Sequence, residues 1–165
     1  MRLFPTMAMT TAAVVLAGSA WAAGSMESFL PKAIQGNLAE IQMGKLAQAK
    51  GNTQEVRDFG QKLVTDHTAA NQEAVALAAK AGVTVPTAPS DDQQDDYNSL
   101  NKKVGADFDK QFLSDMESAH KDAISLYEDE SAEKHDGAVQ AYAASTLSTL
   151  RSHLATIQTL QKMKK

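Results

Sequence analysis

The sequence predicts an all-α protein, an up-down four-helix bundle with an extra short helix in its long middle connector. Apolar and small residues recur at spacings of three and four along four long segments, which is the pattern of one buried face of an α-helix. Aromatic residues make up only 5% of the 165 residues and alanine is abundant, which favours helix over sheet. Four amphipathic helices joined by short or medium connections are typical of a bundle.

The first 22 residues, Met1–Ala22, are predicted to be a secretory signal peptide. A positive charge at Arg2 is followed by the short apolar run TTAAVVLAGSA and by small residues around a cleavage site at Ala20-Trp21-Ala22. This run is short for a bilayer span, and the alternative is an uncleaved N-terminal anchor. Residues 23–165 are then expected to form one domain.

Composition and charge restrict the classes of function. The 16 basic and 20 acidic residues give a net charge of −4, without the clustered basic face that nucleic-acid binding requires. No segment after the signal is apolar for long enough to cross a membrane. The chain has no cysteine, so an exported protein of this kind needs helix packing or a metal rather than disulfides for stability. We expect it in the periplasm or secreted, as a monomer or homodimer with an unknown protein partner.

The first two predicted helices are about Glu27–Lys50 and Asn52–Ala81. Gly51 ends the first, and Asn52 with Glu55 three residues later predicts a capping box for the second. The stripe of the first helix is Leu30, Ile34, Leu38 and Ile41. The stripe of the second is Val56, Phe59, Gly60, Leu63, Ala70, Ala74, Leu77, Ala78 and Ala81.

The second half of the chain follows a connector rich in turn-forming residues, GVTVPTAPSDDQQDD. Ser90 or Asp91 is predicted to cap a short helix carrying Tyr97, Leu100 and Val104, which Gly105 interrupts. Two further long helices are predicted at about Asp107–Glu133 and Ala138–Lys162, with His135-Asp136-Gly137 as the turn between them.

One ionisable residue interrupts the apolar face of each long helix. These residues are Glu40, His67, His120 and His153. If the bundle brings them to one level, three imidazoles and one carboxylate would form a metal site for Zn, Fe, Mn or Cu. Asp66 and Glu117 are candidates for additional ligands or for carboxylates that orient the imidazoles.

The residues alone leave two other interpretations open. The four groups can instead form a metal-free buried polar network that fixes helix register in a structural or partner-binding bundle. The same residues can also hold the metal of a redox enzyme, which would need an open coordination position. No catalytic residue or organic cofactor site is assigned, because no hydrolase triad, phosphate loop or nucleotide-binding fingerprint is present.

Four segments resemble a known family. GNLAEIQMGKLAQAK, VRDFGQKLVTDHTAAN, FDKQFLSDMESAHKD and STLRSHLATIQ are similar to domain-of-unknown-function family 4142, a family of exported bacterial helical proteins. The resemblance covers about Ser25–Gln161 and implies a ferritin-like four-helix bundle. It implies no activity, and metal handling or a role in envelope stress is our hypothesis.

The sequence differs from the ferritin pattern at the metal ligands. A di-iron bundle uses Glu-x-x-His on two helices, and here only Glu117 and His120 have that spacing. Val64 and Leu150 stand three residues before His67 and His153. The carboxylates that would bridge two irons are therefore missing, which favours a site for one metal ion, or no metal site, over ferritin-type iron storage.

Overall fold

The computed structural model describes residues 19–133 and 137–163, and within these ranges every regular element is an α-helix. The helices are α1 (Ser19–Lys50), α2 (Gln54–Ala81), α3 (Asp91–Asn101), α4 (Gly105–Ala132) and α5 (Gly137–Met163). The all-α prediction is confirmed. Most of the predicted signal peptide, Met1–Ala22, and most of the turn predicted at His135 lie outside the described residues.

The short helix predicted in the connector is α3. Ser90 caps it, because the Ser90 hydroxyl accepts a hydrogen bond from the backbone N–H of Gln93 while the Gln93 side chain accepts from that of Ser90. The sequence predicted Val104 in this helix. In the structure, Val104 is instead the exposed N-cap residue of α4. Gly105 follows it with a φ of 58°, a left-handed conformation that glycine adopts at little cost.

The capping box predicted at Asn52 and Glu55 is wrong. The N-cap residue of α2 is Thr53, and its side chain makes no capping hydrogen bond. The buried carboxylate of Asp109, on α4, instead accepts hydrogen bonds from the backbone N–H of Asn52 at 2.8 Å and from the backbone N–H and hydroxyl of Thr53, both at 3.2 Å. Tertiary structure thus satisfies donors that a local side chain was expected to satisfy.

The buried face of α1 contains the predicted Leu30, Ile34 and Glu40. Two residues of the predicted stripe, Leu38 and Ile41, are only half-buried. Helices α1 and α2 cross closely at two glycines. A Cβ placed on Gly44 would lie 2.7 Å from the carbonyl oxygen of Gly60, so only glycine lets the backbones approach this closely.

The four long helices form a bundle of two antiparallel pairs, α1 with α2 and α4 with α5. Helix α4 also packs against α1, and α5 against α2. The Asp109 contacts place the start of α4 beside the start of α2, so these two helices run in the same direction. The connector between Gly82 and Val104 therefore runs back along the length of the bundle. Because α2 and α4 are parallel, the predicted up-down alternation of the helices is interrupted at this connector.

Two apolar clusters fill the bundle, one toward each end. One contains Met43, Leu46, Ala47, Val56, Phe59, Leu63, Leu100, Phe108, Phe112, Leu113, Met116, Ile157 and Leu160. The other contains Phe29, Leu30, Ala33, Ile34, Ala74, Ala78, Tyr127, Val139, Tyr142, Ala143, Leu147 and Leu150. On each long helix one inward ionisable residue stands between the two clusters, which places these four residues in one layer.

A membrane crossing needs a helix that is both long and apolar. Within residues 19–133 and 137–163, none of the helices has the required combination.

Candidate metal centre

The layer between the two clusters brings the four predicted ionisable residues together. Glu40 is on α1, His67 on α2, His120 on α4 and His153 on α5, and at most 6% of the surface of any of them is exposed. The ring centroids of the three histidines are 5.3 to 5.8 Å apart. Side chains that lie far apart in the sequence therefore meet at one level of the bundle.

Each histidine uses one ring nitrogen to contact an oxygen at the edge of the layer. These contacts are His67 Nδ1 with Asn37 Oδ1 at 2.9 Å, His120 Nδ1 with the Met116 carbonyl at 2.9 Å, and His153 Nε2 with Asp66 Oδ2 at 2.7 Å. Carbonyl, amide and carboxylate oxygens only accept hydrogen bonds, so each of these nitrogens carries the proton in a neutral ring. Such contacts commonly fix the orientation of metal-binding imidazoles.

The other three ring nitrogens are Nε2 of His67, Nε2 of His120 and Nδ1 of His153, and the last two face each other. One nitrogen from each histidine can be chosen so that all three lie within 4.8 Å of one another. With the outer nitrogens protonated, these inner nitrogens hold the lone pairs that bind a metal ion.

The distance between two of the inner nitrogens fits a metal site. His120 Nε2 and His153 Nδ1 are 3.2 Å apart. Two nitrogens bound to one tetrahedral ion at its usual bond length lie about 3.3 Å apart. Imidazole nitrogens suit Zn, Fe(II), Mn or Cu(II), so the three histidines could hold a transition-metal ion.

Glu40 lies beside two of the three histidines. Its Oε1 is 3.4 Å from His120 Nδ1 and its Oε2 is 3.9 Å from His67 Nε2. Burial raises the pKa of Glu40, while the nearby His120 acts in the opposite direction. Neither Glu40 Oε2 nor His67 Nε2 has a hydrogen-bond partner among the described residues, although both are buried. A cation between these two atoms would relieve the cost of burying them unpaired.

Burial keeps two of the imidazoles in the form that binds metals. It is the main reason that the pKa of His67 falls to about 3, with smaller contributions from His120 and His153. Burial also lowers the pKa of His153, although the hydrogen bond to Asp66 opposes that effect. Both rings are therefore neutral near pH 7, as a metal ligand must be.

Asp66 lies at the edge of the layer, where its side chain is one-quarter exposed. Partial burial would raise its pKa, but hydrogen bonds from Lys62 and His153 hold that pKa below its usual value. Asp66 is therefore ionised near neutral pH and accepts the His153 proton as a carboxylate.

Glu117 is not brought to the cluster. It forms a 2.7 Å ion pair with Lys121 and accepts a 2.8 Å hydrogen bond from Gln161. The spacing of Glu117 and His120, three residues apart, does not place both side chains in the same site.

A series of hydrogen-bonded side chains on the other side of His67 was not predicted from the sequence. Asn37 donates to the Tyr142 hydroxyl at 3.3 Å, and this hydroxyl lies 3.0 Å from that of Tyr127. These contacts orient the Asn37 oxygen toward His67. The available signal was the position of Asn37 three residues before Glu40, on the same face of α1.

Comparisons with known proteins provide a family and a structural likeness. The model of the family described as "Domain of unknown function (DUF4142)" matches residues 11–160. No curated protein matches the sequence. The crystal structure of a DUF305 fragment from Deinococcus radiodurans is similar in fold, with a TM-score of 0.74 and 14% identity, over 84% of this chain and 96% of that one. At this level of identity the likeness concerns the fold alone.

Proposed function

The chain belongs to the DUF4142 family, and we propose that it is an exported metal-binding protein that holds one transition-metal ion between its four long helices. His67 and His120 provide Nε2 and His153 provides Nδ1 as ligands, and Glu40 provides a carboxylate beside them. The observation that carries this proposal is that the three buried histidines offer one nitrogen each within 4.8 Å of the others, while each ring also holds one nitrogen against an oxygen acceptor.

The arrangement of acceptors favours a metal site over a metal-free polar network. In a self-sufficient network the inner nitrogens would hydrogen-bond to one another or to protein groups. His67 Nε2 has no such partner among the described residues. Asn37, Met116 and Asp66 occupy the outer positions that orient metal-binding imidazoles in known sites.

Handling of the metal ion as cargo is the role we propose. The single carboxylate of the layer, Glu40, does not provide the bridging ligands that a di-iron ferroxidase needs. We also propose that the fold is ferritin-like. Support comes from the two antiparallel pairs and from the connector between Gly82 and Val104, which returns along the bundle.

Export is proposed from the sequence of Met1–Ala22. The positive charge, the apolar run and the small residues at positions 20 and 22 have the order of a secretory signal. N-terminal sequencing of the protein recovered from the periplasm of a bacterial host should begin at Ala23. An intact Met1 in the membrane fraction would contradict export as a cleaved protein.

Metal analysis tests the proposed site directly. The protein is purified without a chelator or an affinity His-tag, and its metal content is compared with that of a double variant, His67→Gln with His153→Gln. The matched control is His135→Ala, which removes the one histidine that lies outside the described residues. Circular dichroism confirms that each variant is folded.

We expect about one metal ion per chain in the unmodified protein and in the His135→Ala variant, and none in the double variant. Absence of bound metal in the unmodified protein, even after reconstitution with Zn, Fe, Mn and Cu, would overturn the proposal. The layer would then be a structural polar network. Equal metal content in the double variant would place the metal elsewhere.

A further inference from the structure

A cleft of about 480 Å³ lies between α1 and α4 and reaches the layer of histidines. Its inner end is lined by Glu40 and His67, and its outer part by side chains of α3 and α4. The cleft therefore connects solvent with two members of the candidate metal centre.

The inner end presents two polar atoms that have no hydrogen-bond partner among the described residues. They are Glu40 Oε2 and His67 Nε2. The two residues are only 6% and 4% exposed. A buried carboxylate oxygen and a buried imidazole nitrogen together attract a cation, which would satisfy both.

The outer part carries an excess of negative charge. Asp96, Asp115 and Asp122 line it, against the single cation Lys32. Asp96 and Asp122 are exposed and Asp115 is half-buried. Burial raises the pKa of Asp115, the hydrogen bond from Gln111 lowers it, and the charge of Asp96 raises it further.

Small residues keep the passage open. Gly36 and Ala39 on α1, and Ser118 and Ala119 on α4, form part of its lining. A Cβ added to Gly36 would meet no atom within 4 Å. Gly36 is therefore a position in the lining of the cleft where a Cβ can be added without a clash.

We propose that the cleft between α1 and α4 is the route by which metal cations reach the histidines, and that Asp96, Asp115 and Asp122 accelerate their entry. This inference rests on the proposed function, because it concerns access to the same site. Carboxylates at the mouth of a cleft with low-dielectric walls concentrate cations there and raise association rates. The same charges repel anions, which suits a site that takes up a metal ion rather than an anionic substrate.

The first test measures the rate of metal binding. Metal-free protein is mixed with Co²⁺ chloride in a stopped-flow instrument, and the visible absorbance of the bound ion is followed. One variant carries Asp96→Asn, Asp115→Asn and Asp122→Asn. Its matched control carries Asp58→Asn, Glu73→Gln and Asp129→Asn, which neutralise three exposed acids that do not line the cleft.

The cleft variant should bind Co²⁺ about threefold to tenfold more slowly at low ionic strength, and the control should bind at nearly the unmodified rate. The difference should shrink toward about 1 M salt, where the screening length is only a few ångströms. Equal slowing in both variants would mean that net charge alone matters, and it would overturn the assignment of the cleft.

The second test closes the route sterically. Gly36→Phe adds a bulky side chain where the structure leaves space, and Gly36→Ala is its matched control. Gly36→Phe should slow association several-fold and should slow dissociation in proportion, so that the affinity and the one-ion stoichiometry change little. Unchanged rates in Gly36→Phe would exclude the cleft as the route.

The two proposals fail in different ways. If the unmodified protein binds no metal, the proposed function fails. If it binds one metal ion that the His67→Gln, His153→Gln variant loses, but the cleft variants bind it at the unmodified rate, only the access route is wrong.

Discussion

His120 Nε2 and His153 Nδ1 lie 3.2 Å apart in the protein core, while the opposite nitrogens of the two rings contact the Met116 carbonyl and the Asp66 carboxylate. These contacts form a series from the Met116 carbonyl through the two rings to Asp66. As three hydrogen bonds they would require three N–H groups, but two neutral imidazoles have only two. A further proton or a metal ion would resolve this shortage. The three histidines offer one nitrogen each within 4.8 Å of the others, a spacing that one metal ion could bridge.

Metal binding should stabilise the folded protein. Zn²⁺ at about 100 times its dissociation constant should raise the free energy of unfolding by about 2.7 kcal/mol, because the assembled site exists only in the folded chain. Urea unfolding with and without Zn²⁺ measures this change. A His153→Gln variant should show a much smaller increase. An equal increase in that variant would show that Zn²⁺ binds outside the histidine layer.

Asp66 should strengthen metal binding without contacting the metal. Asp66→Asn keeps an oxygen that can accept the His153 proton but loses the negative charge that makes the ring more basic. We expect the metal affinity to fall about 10- to 100-fold, measured by competition with a chromophoric chelator. Lys62→Met removes the other partner of Asp66, at 2.8 Å, and should have a smaller effect. Unchanged affinity in Asp66→Asn would contradict the orienting role.

Acid should destabilise the metal-free protein through His67. The pKa of this buried ring is about 3 in the folded chain, against about 6.5 for an unfolded one. Between these pH values the unfolded chain binds more protons than the folded chain. The contribution of His67 to the free energy of unfolding is therefore fully present above about pH 6.5 and falls as the pH is lowered. Lowering the pH from 7.5 to 4.5 should therefore reduce the free energy of unfolding by about 2 to 3 kcal/mol through His67.

The His67→Gln variant isolates that contribution. Glu40, whose pKa is raised by burial, has the opposite effect on the pH dependence, but it is present in both proteins. Urea unfolding at pH 7.5 and 4.5 should therefore show a smaller loss of stability in His67→Gln than in the unmodified chain. Equal losses would mean that His67 is not buried as a neutral ring in solution.

The sequence predicted the residues of the layer because their signal is local. Glu40, His67, His120 and His153 each fall in the apolar register of their own helix, and helical periodicity is enough to detect this. The contacts that orient the rings were not predictable in the same way. The Met116 carbonyl is a backbone group, and Asn37 is oriented by Tyr142 from another helix.

The start of α2 shows why one expectation from the sequence fails. A local capping box is the prediction there, but Asp109 on α4 satisfies the backbone N–H groups of Asn52 and Thr53. This feature depends on a neighbouring helix, and helical periodicity contains no information about it.

The crossing of α1 and α2 should respond to a single methyl group at Gly44. Gly44→Ala places a Cβ 2.7 Å from the carbonyl oxygen of Gly60, a backbone atom that cannot turn away. We expect the free energy of unfolding to fall by about 1 to 3 kcal/mol. Gly36→Ala, on the same helix, meets no atom within 4 Å and should instead stabilise by about 0.5 to 1 kcal/mol, because alanine is the better helix former. Urea unfolding of the two variants measures both changes. Stabilisation by Gly44→Ala would contradict the close crossing.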